Sequence, residues 1–469
     1  MTPDTLITIL RREIKENVNI SIPLMASQLV YACSGFLATA MVARLGEDAL
    51  AASILVNMPW ACFTMLFFGI LNAVCVLISH QVGAQTFDKI SPIMGQSFLL
   101  GLLLMVFLAL LLLALPPLMH WSHQPLNVQQ LANQYVYAML WTVPGLIFVV
   151  ILEHFLAGIN QAKLILKISF LIVPLEIFLI YAFIFGRWGF PVCGIAGVGY
   201  GFSVTYTLTV ISLGFYLATS KRFSDFQIFS HIHFKHWHYF RELLRIGLPM
   251  GMMHVIEISA FLLATFWIAQ FSTTALAAHQ LVMQYLAFII TIVFAMSQAV
   301  TIRVGQTAGR KDLQRISYAA YTGMSISFIF ILIIAIALMS IPTFFLRLDL
   351  NIHTASTADL VKEAALLLSI CGMLIIFDNF RLVCFGALRA LKDTRFPMYT
   401  SLVSFWMVGI GSAYWLGFIC HQQAAGIWRG LMIGVVFGAI LVLLRLNYLL
   451  KRVDLNKIIA IPSHSKDDT

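Results

Sequence analysis

A chain of 469 residues with 60% apolar and only 10% charged side chains lies far from soluble composition, in which about a quarter of residues are charged. It cannot cover itself with polar surface, so a soluble fold is excluded and lipid is its solvent. The formal net charge of +9 would point to nucleic acid only as a patch, and here it is spread between apolar runs as membrane topology requires.

The N-terminus, Met1-Thr2-Pro3-Asp4, has no cleavable signal pattern, and the first apolar run is too long and too late to be one. A membrane helix needs ~20 mostly apolar residues. Apolar runs between Gly, Pro and charged breaks predict twelve spans: 18–43, 49–82, 93–116, 130–157, 165–186, 194–218, 244–271, 275–302, 317–340, 360–388, 397–418 and 425–449. Several exceed the minimum, which implies tilt, kinks or extension beyond the bilayer. An even number of spans puts both termini on one side. With a cytoplasmic N-terminus, all but five of the 29 Lys and Arg residues fall on or near the inner side. The five are Arg44, Arg187, Arg347, Lys362 and Arg429. This asymmetry predicts both termini in the cytoplasm of a bacterial inner-membrane protein.

The chain repeats itself. At an offset of 226, Pro23 meets Pro249, Leu37-Ala38-Thr39 meets Leu263-Ala264-Thr265, and Ala49-Leu50-Ala51-Ala52 meets Ala275-Leu276-Ala277-Ala278. Phe68, Ala73-Val74 and Gly83 meet Phe294, Ala299-Val300 and Gly309, and further on Gly197 and Gly201 face Gly426 and Gly430. Six spans per half give the halves one orientation, related by an axis along the membrane normal. The expected fold is an all-α polytopic membrane protein of twelve transmembrane helices in two pseudo-symmetric six-helix lobes. The lobes are 1–218 and 244–455, joined by a cytoplasmic linker, 219–243, and followed by a cytoplasmic tail, 456–469.

Ionisable side chains at membrane depth are costly and persist where they face protein or water. Four acids lie within spans: Glu153, Glu176, Glu257 and Asp378. Glu257 and Asp378 are candidate carboxylates for a coupling cation, or structural hydrogen-bonding groups. Arg381, three residues after Asp378, shares its helical face. It either neutralises Asp378 and stands in for a cation, or reaches toward the cytoplasmic end. Glu176 is deep in the fifth span. Glu153 and His154, near the inner end of the fourth, fit an interfacial polar pair. His254, His279, Gln280 and the repeat-matched Asn72 and Gln298 can contact substrate or tie helices together. His231, His233, His236 and His238 lie in the linker with no Cys or acid beside them. They fit an interfacial amphipathic segment better than a metal site, and no transition metal is expected. The seven cysteines form no CxxC pair and are taken as apolar fillers. No P-loop or hydrolase motif is present, so neither ATP drive nor enzyme activity is expected.

The Pro-containing first helix of each half, the paired "ALAA" starts, "GFPVCGIAGVGYG" at 189–201, "VGQTAGRKD" at 304–312 and "FDNFRLVCFGALRALKDTRFP" at 377–397 together resemble the multidrug and toxic compound extrusion (MATE) family, in its NorM-like branch. The resemblance implies two six-helix lobes around a central cavity. It also implies alternating access that exports organic, often cationic, compounds against inward Na⁺ or H⁺, with no other cofactor. It places a glutamate at Glu257 and an aspartate at Asp378 in cation binding. Many members carry an aspartate in the first helix, in a motif resembling "GFLATAMV" at 35–42, where this chain has Ala38. Coupling residues are therefore expected in the C-terminal lobe, with Glu176 as partial compensation in the first. The expected partners are a small organic substrate and membrane lipid, with no nucleic acid, and the expected state is a monomer. A lipid-linked saccharide flippase and a dedicated metabolite exporter of the same superfamily remain alternatives. A channel fits less well with single, unrepeated acids.

Overall fold

The computed structural model describes residues 3–230, 237–349 and 358–452. The tail, 456–469, and the linker residues His231, His233 and His236 lie outside the described residues. With no water in the bilayer core to satisfy backbone groups, spanning segments fold as helices. In chain order these are α1 (Pro3–Ala43), α2 (Glu47–Ala84), α3 (Ile90–Leu113), α4 (Leu115–Trp121), α5 (Leu126–Leu140), α6 (Thr142–Gly158), α7 (Ala162–Phe185) and α8 (Ala196–Thr219). They continue as α9 (Trp237–Ala269), α10 (Thr273–Gly309), α11 (Leu313–Ser340), α12 (Pro342–Asp349), α13 (Ala358–Ala390), α14 (Arg395–Ser401), α15 (Ile410–Tyr414) and α16 (Gln423–Arg452).

Among the described residues, eleven helical stretches are each long and apolar enough to span, and α5 with α6 makes a twelfth, bent by 44°. The sequence predicts that span as one helix, 130–157. The break falls at Trp141, just before Pro144. Proline has no N–H and its ring clashes with the carbonyl one turn back, so it kinks or breaks a helix at that point. The exposed carbonyl of Trp141 is not wasted: the Ser203 hydroxyl of α8 donates to it at 2.8 Å. Beside it, the Thr142 hydroxyl donates to the Gly199 carbonyl at 3.0 Å.

The chain divides into two compact units. One, here the C-terminal unit, holds the chain up to Met25 and from Met252 onward, while the other, the N-terminal unit, holds Ala26–Gly251. The division falls two residues past Pro23 in α1 and two past Pro249 in α9. Each proline removes a backbone hydrogen bond and loosens the helix there. The leading stretch of α1 thus packs within the C-terminal unit, and the leading stretch of α9 within the N-terminal one.

Within each unit the repeat-matched glycines mark close helix contacts. A Cβ on Gly201 of α8 would lie 2.6 Å from Ile180 of α7, and one on Gly430 of α16 would lie 2.2 Å from Ala413 of α15. Small residues let backbones approach where lipid supplies no hydrophobic drive between helices.

Candidate functional site

In the C-terminal unit three of the sequence-predicted residues meet. Asp378 and Arg381 project from one face of α13, because residues three apart are neighbours on a helix. Glu257 comes from α9. The Arg381 Nε donates to Asp378 Oδ1 at 2.7 Å and its Nη2 lies 2.6 Å from the same oxygen. The Nη1 donates to Glu257 Oε1. The Ser401 hydroxyl, at the end of α14, donates to that same Glu257 oxygen at 2.9 Å and accepts from Arg381 Nη1 at 3.5 Å. The guanidinium also lies over the rings of Phe405 and Phe385, at 4.8 and 5.1 Å.

Local structure explains how a bulky cation fits there. After α14 the chain widens into a π-helix over Leu402–Gly409, a distortion that recurs at functional positions. It carries Phe405 toward the guanidinium. On α16, Gly438 keeps the space open: a Cβ there would lie 3.0 Å from Ser404 Oγ and 3.3 Å from Arg381 Cδ. Arg381 is 2% exposed, Asp378 4% and Glu257 9%, so the cluster is withdrawn from solvent. With both carboxylates ionised, two carboxylates and one guanidinium amount to one net negative charge. Removing one partner from a buried ion pair costs about 3–5 kcal/mol.

The accessory candidates are dispersed. His254, one turn before Glu257, meets the Phe294 ring edge-on at 5.3 Å. Gln298 is half-buried on α10. Gln280 is exposed and lines a cavity of about 620 Å³ with Ala277, Leu281, Met283, Gln284 and Leu360. His279 is buried as a fastener: Trp428 Nε1 donates to its Nδ1 at 3.1 Å, and its Nε2 lies 2.8 Å from Thr265 Oγ1.

Asn72 and Glu176 belong to the N-terminal unit. Glu176 accepts from the Ser34 hydroxyl through Oε1, while its Oε2 is buried with no hydrogen-bond partner among the described residues. Nearby, the Tyr31 hydroxyl donates to Glu153 Oε1 at 2.6 Å. Glu153 is thus tied to α1, which the reading of it as an interfacial residue did not foresee. The repeat held the signal, because Tyr31 is the partner of Glu257 at the 226-residue offset.

A second buried charge cluster was not visible in the sequence. Arg303 of α10 and Glu13 of α1, each 2% exposed, pair at 2.7 Å, and Arg303 also contacts Glu16. Arg389 of α13 is buried as well and donates to the hydroxyls of Thr301 and Ser297 at 2.7 and 2.8 Å. Arg381 is therefore not the sole buried base.

The MatE family model matches residues 23–182 and 249–415. Over 437 residues the chain is 30% identical to a Synechococcus protein described as a probable multidrug resistance protein NorM, covering 93% of this chain and 94% of that one. A Synechocystis protein with the same description is 29% identical over 443 residues, covering 94% and 96%. The crystal structure of a mutant of the Vibrio cholerae MATE transporter VcmN matches with a TM-score of 0.86 at 18% identity, over 96% of this chain and 99% of that one. At that identity the likeness speaks for the fold.

Proposed function

The chain belongs to the MatE family, and from that premise we propose that it is a cation-coupled antiporter exporting small organic compounds, amphiphilic cations above all, by alternating access. It sits in a bacterial inner membrane as a monomer with both termini cytoplasmic. Its two six-helix halves are the moving pair. The multidrug description of the Synechococcus and Synechocystis relatives supports the substrate class.

One observation carries the mechanism: a buried cluster of Glu257, Asp378 and Arg381 with one net negative charge. An uncompensated charge at membrane depth is expensive unless a cation can meet it. A coupling cation, Na⁺ or H⁺, and an organic cation compete for that charge, which ties entry of one to release of the other. The drive is sufficient. One charge falling through about 100 mV yields ~2.3 kcal/mol, enough for an almost fifty-fold gradient.

The test is efflux of a cationic dye and of a fluoroquinolone from a pump-deficient bacterium, with Na⁺ and pH gradients imposed separately. Glu257→Gln is expected to abolish gradient-driven efflux while the protein still reaches the membrane. Equal efflux by wild type and Glu257→Gln overturns the coupling role. If no amphiphilic cation is exported, the protein is a dedicated metabolite exporter.

A further inference from the structure

Three oxygens that a bare metal cation could use in this pocket of the C-terminal unit are already engaged. Glu257 Oε1, Asp378 Oδ1 and Ser401 Oγ all face the guanidinium of Arg381. We propose that Arg381 is a resident counter-ion that closes this pocket to Na⁺ and leaves it a single negative charge for the proton. The transport arm of this inference rests on the antiport reading above, and the binding arm does not.

Three observations converge. Alkali and alkaline-earth cations are hard and need a shell of oxygen ligands. Here three converging oxygens hydrogen-bond one planar fork, and the rings of Phe385 and Phe405 flank the same guanidinium. Those rings hold a guanidinium by its face and offer a metal ion no oxygen. Second, arginine does not give up its proton in proteins, so its charge cannot be titrated away to make room. A Na⁺ ion would have to share a buried cage with a fixed positive charge. Third, the two tethers are unequal. Asp378 is on the same helix as Arg381, one turn away, and travels with it, whereas Glu257 reaches across from α9.

The exchange therefore takes place at Glu257. A proton added to its Oε1 breaks the link to Arg381, the guanidinium remains with Asp378, and the cluster is neutral. Loss of that proton to the other side restores the link. The groups facing Glu257 are Asp378 and Arg381 on α13, Ser401 at the end of α14 and His254 on its own helix, with Arg389 close enough for its charge to reach His254. Arg381 is thus a positioning residue that sets ion specificity.

The decisive measurement is equilibrium binding of radiolabelled Na⁺ to purified protein in lipid nanodiscs. Wild type is expected to show no saturable site, Arg381→Gln one saturable site, and the combination with Glu257→Gln none again. Arg381→Lys, which keeps the charge, is expected to stay closed. NaCl, against choline chloride, is expected to raise the Tm of Arg381→Gln and leave wild type unmoved, because a ligand that binds only the folded state stabilises it. Should Arg381→Gln aggregate, Arg381→Gln/Asp378→Asn keeps the pocket at one negative charge and is expected to gain the same Na⁺ response. In proteoliposomes, wild-type efflux should follow the pH gradient alone. The Na⁺ gradient should drive only the variant, up to ~fifty-fold accumulation for one charge at about 100 mV. Saturable Na⁺ binding by wild type that Glu257→Gln abolishes overturns the proposal, and so does a folded Arg381→Gln that binds no Na⁺. A protein that exports no dye yet shows this binding pattern defeats the multidrug reading of the substrate and leaves the inference standing.

Discussion

Tyr31 and Glu257 occupy the same place in the two halves, 226 residues apart, and each reaches within its own unit to a helix further along the chain. In the N-terminal unit a phenol on α1 donates to Glu153 on α6. In the C-terminal unit a carboxylate on α9 accepts from Arg381 on α13. The tether is repeated and its polarity is reversed. Glu153 and Glu176, the span acids of the N-terminal unit, have hydroxyl partners, whereas Glu257 and Asp378 of the C-terminal unit have a guanidinium. Duplication preserved the helix-to-helix link, and divergence decided what charge it carries. The two acids of one unit are held by neutral donors; those of the other are largely cancelled, to one unit of charge. A single added charge therefore changes the C-terminal cluster from charged to neutral.

The comparison breaks most visibly if the cancelling charge is removed. Arg381→Leu leaves Glu257 and Asp378 buried without a cation, at a cost of about 3–5 kcal/mol. The expected outcome is little monodisperse protein on size exclusion and a much lowered Tm. Adding Glu257→Gln and Asp378→Asn, so that no charge remains, is expected to recover most of the loss. Failure to recover would mean that Arg381 holds the helices through packing on Phe385 and Phe405 rather than through charge.

A smaller effect tests the N-terminal tether. Tyr31→Phe keeps the ring and deletes the hydroxyl that Glu153 accepts from. Hydrogen bonds to charged groups contribute about 1.5–3 kcal/mol, so thermal unfolding should shift down by that equivalent. Glu153→Gln, which retains an acceptor, should shift it less. A Tyr31→Phe protein as stable as wild type would show that the contact is incidental and that the parallel with Glu257 is one of position alone.

The fold was legible because lipid leaves few choices. A chain with twelve long apolar runs must make helices, and the identities at one offset reveal the duplication. The pairing of Asp378 with Arg381 was legible too, since three residues along a helix is a fixed geometry. Its extension to Glu257 was not, because that contact spans 124 residues and no local rule sets it. The same holds for Arg303, whose partner Glu13 is 290 residues away. The π-turn after Ser401 has no proline or glycine to announce it at its start. The kink at Trp141 was announced by Pro144, but the length of the apolar run concealed it. The partner of Glu153 was not legible either, because Tyr31 lies 122 residues away.

The smallest test lies where the first helix of each half meets the second. Thr39 and Ser53 of the N-terminal unit align with Thr265 and His279 of the C-terminal one. The Thr39 and Ser53 hydroxyls each donate to their own helix backbone, to Gly35 O at 3.0 Å and Leu50 O at 2.8 Å. Thr265 likewise donates to its own helix, to Phe261 O at 2.9 Å, but it also bonds His279, and Trp428 extends the chain to α16. Polar contacts between membrane helices average ~0.6 kcal/mol. Thr265→Val should therefore cost about that much, seen as a small drop in Tm. Thr39→Val, which breaks no link between helices, should leave the Tm in place. Because the two substitutions are chemically identical, their difference isolates the interhelical bond from the loss of a hydroxyl. Equal shifts would show that the His279 chain adds nothing beyond local helix bonding, and that the two units differ in charge but not in how firmly their first helices are pinned.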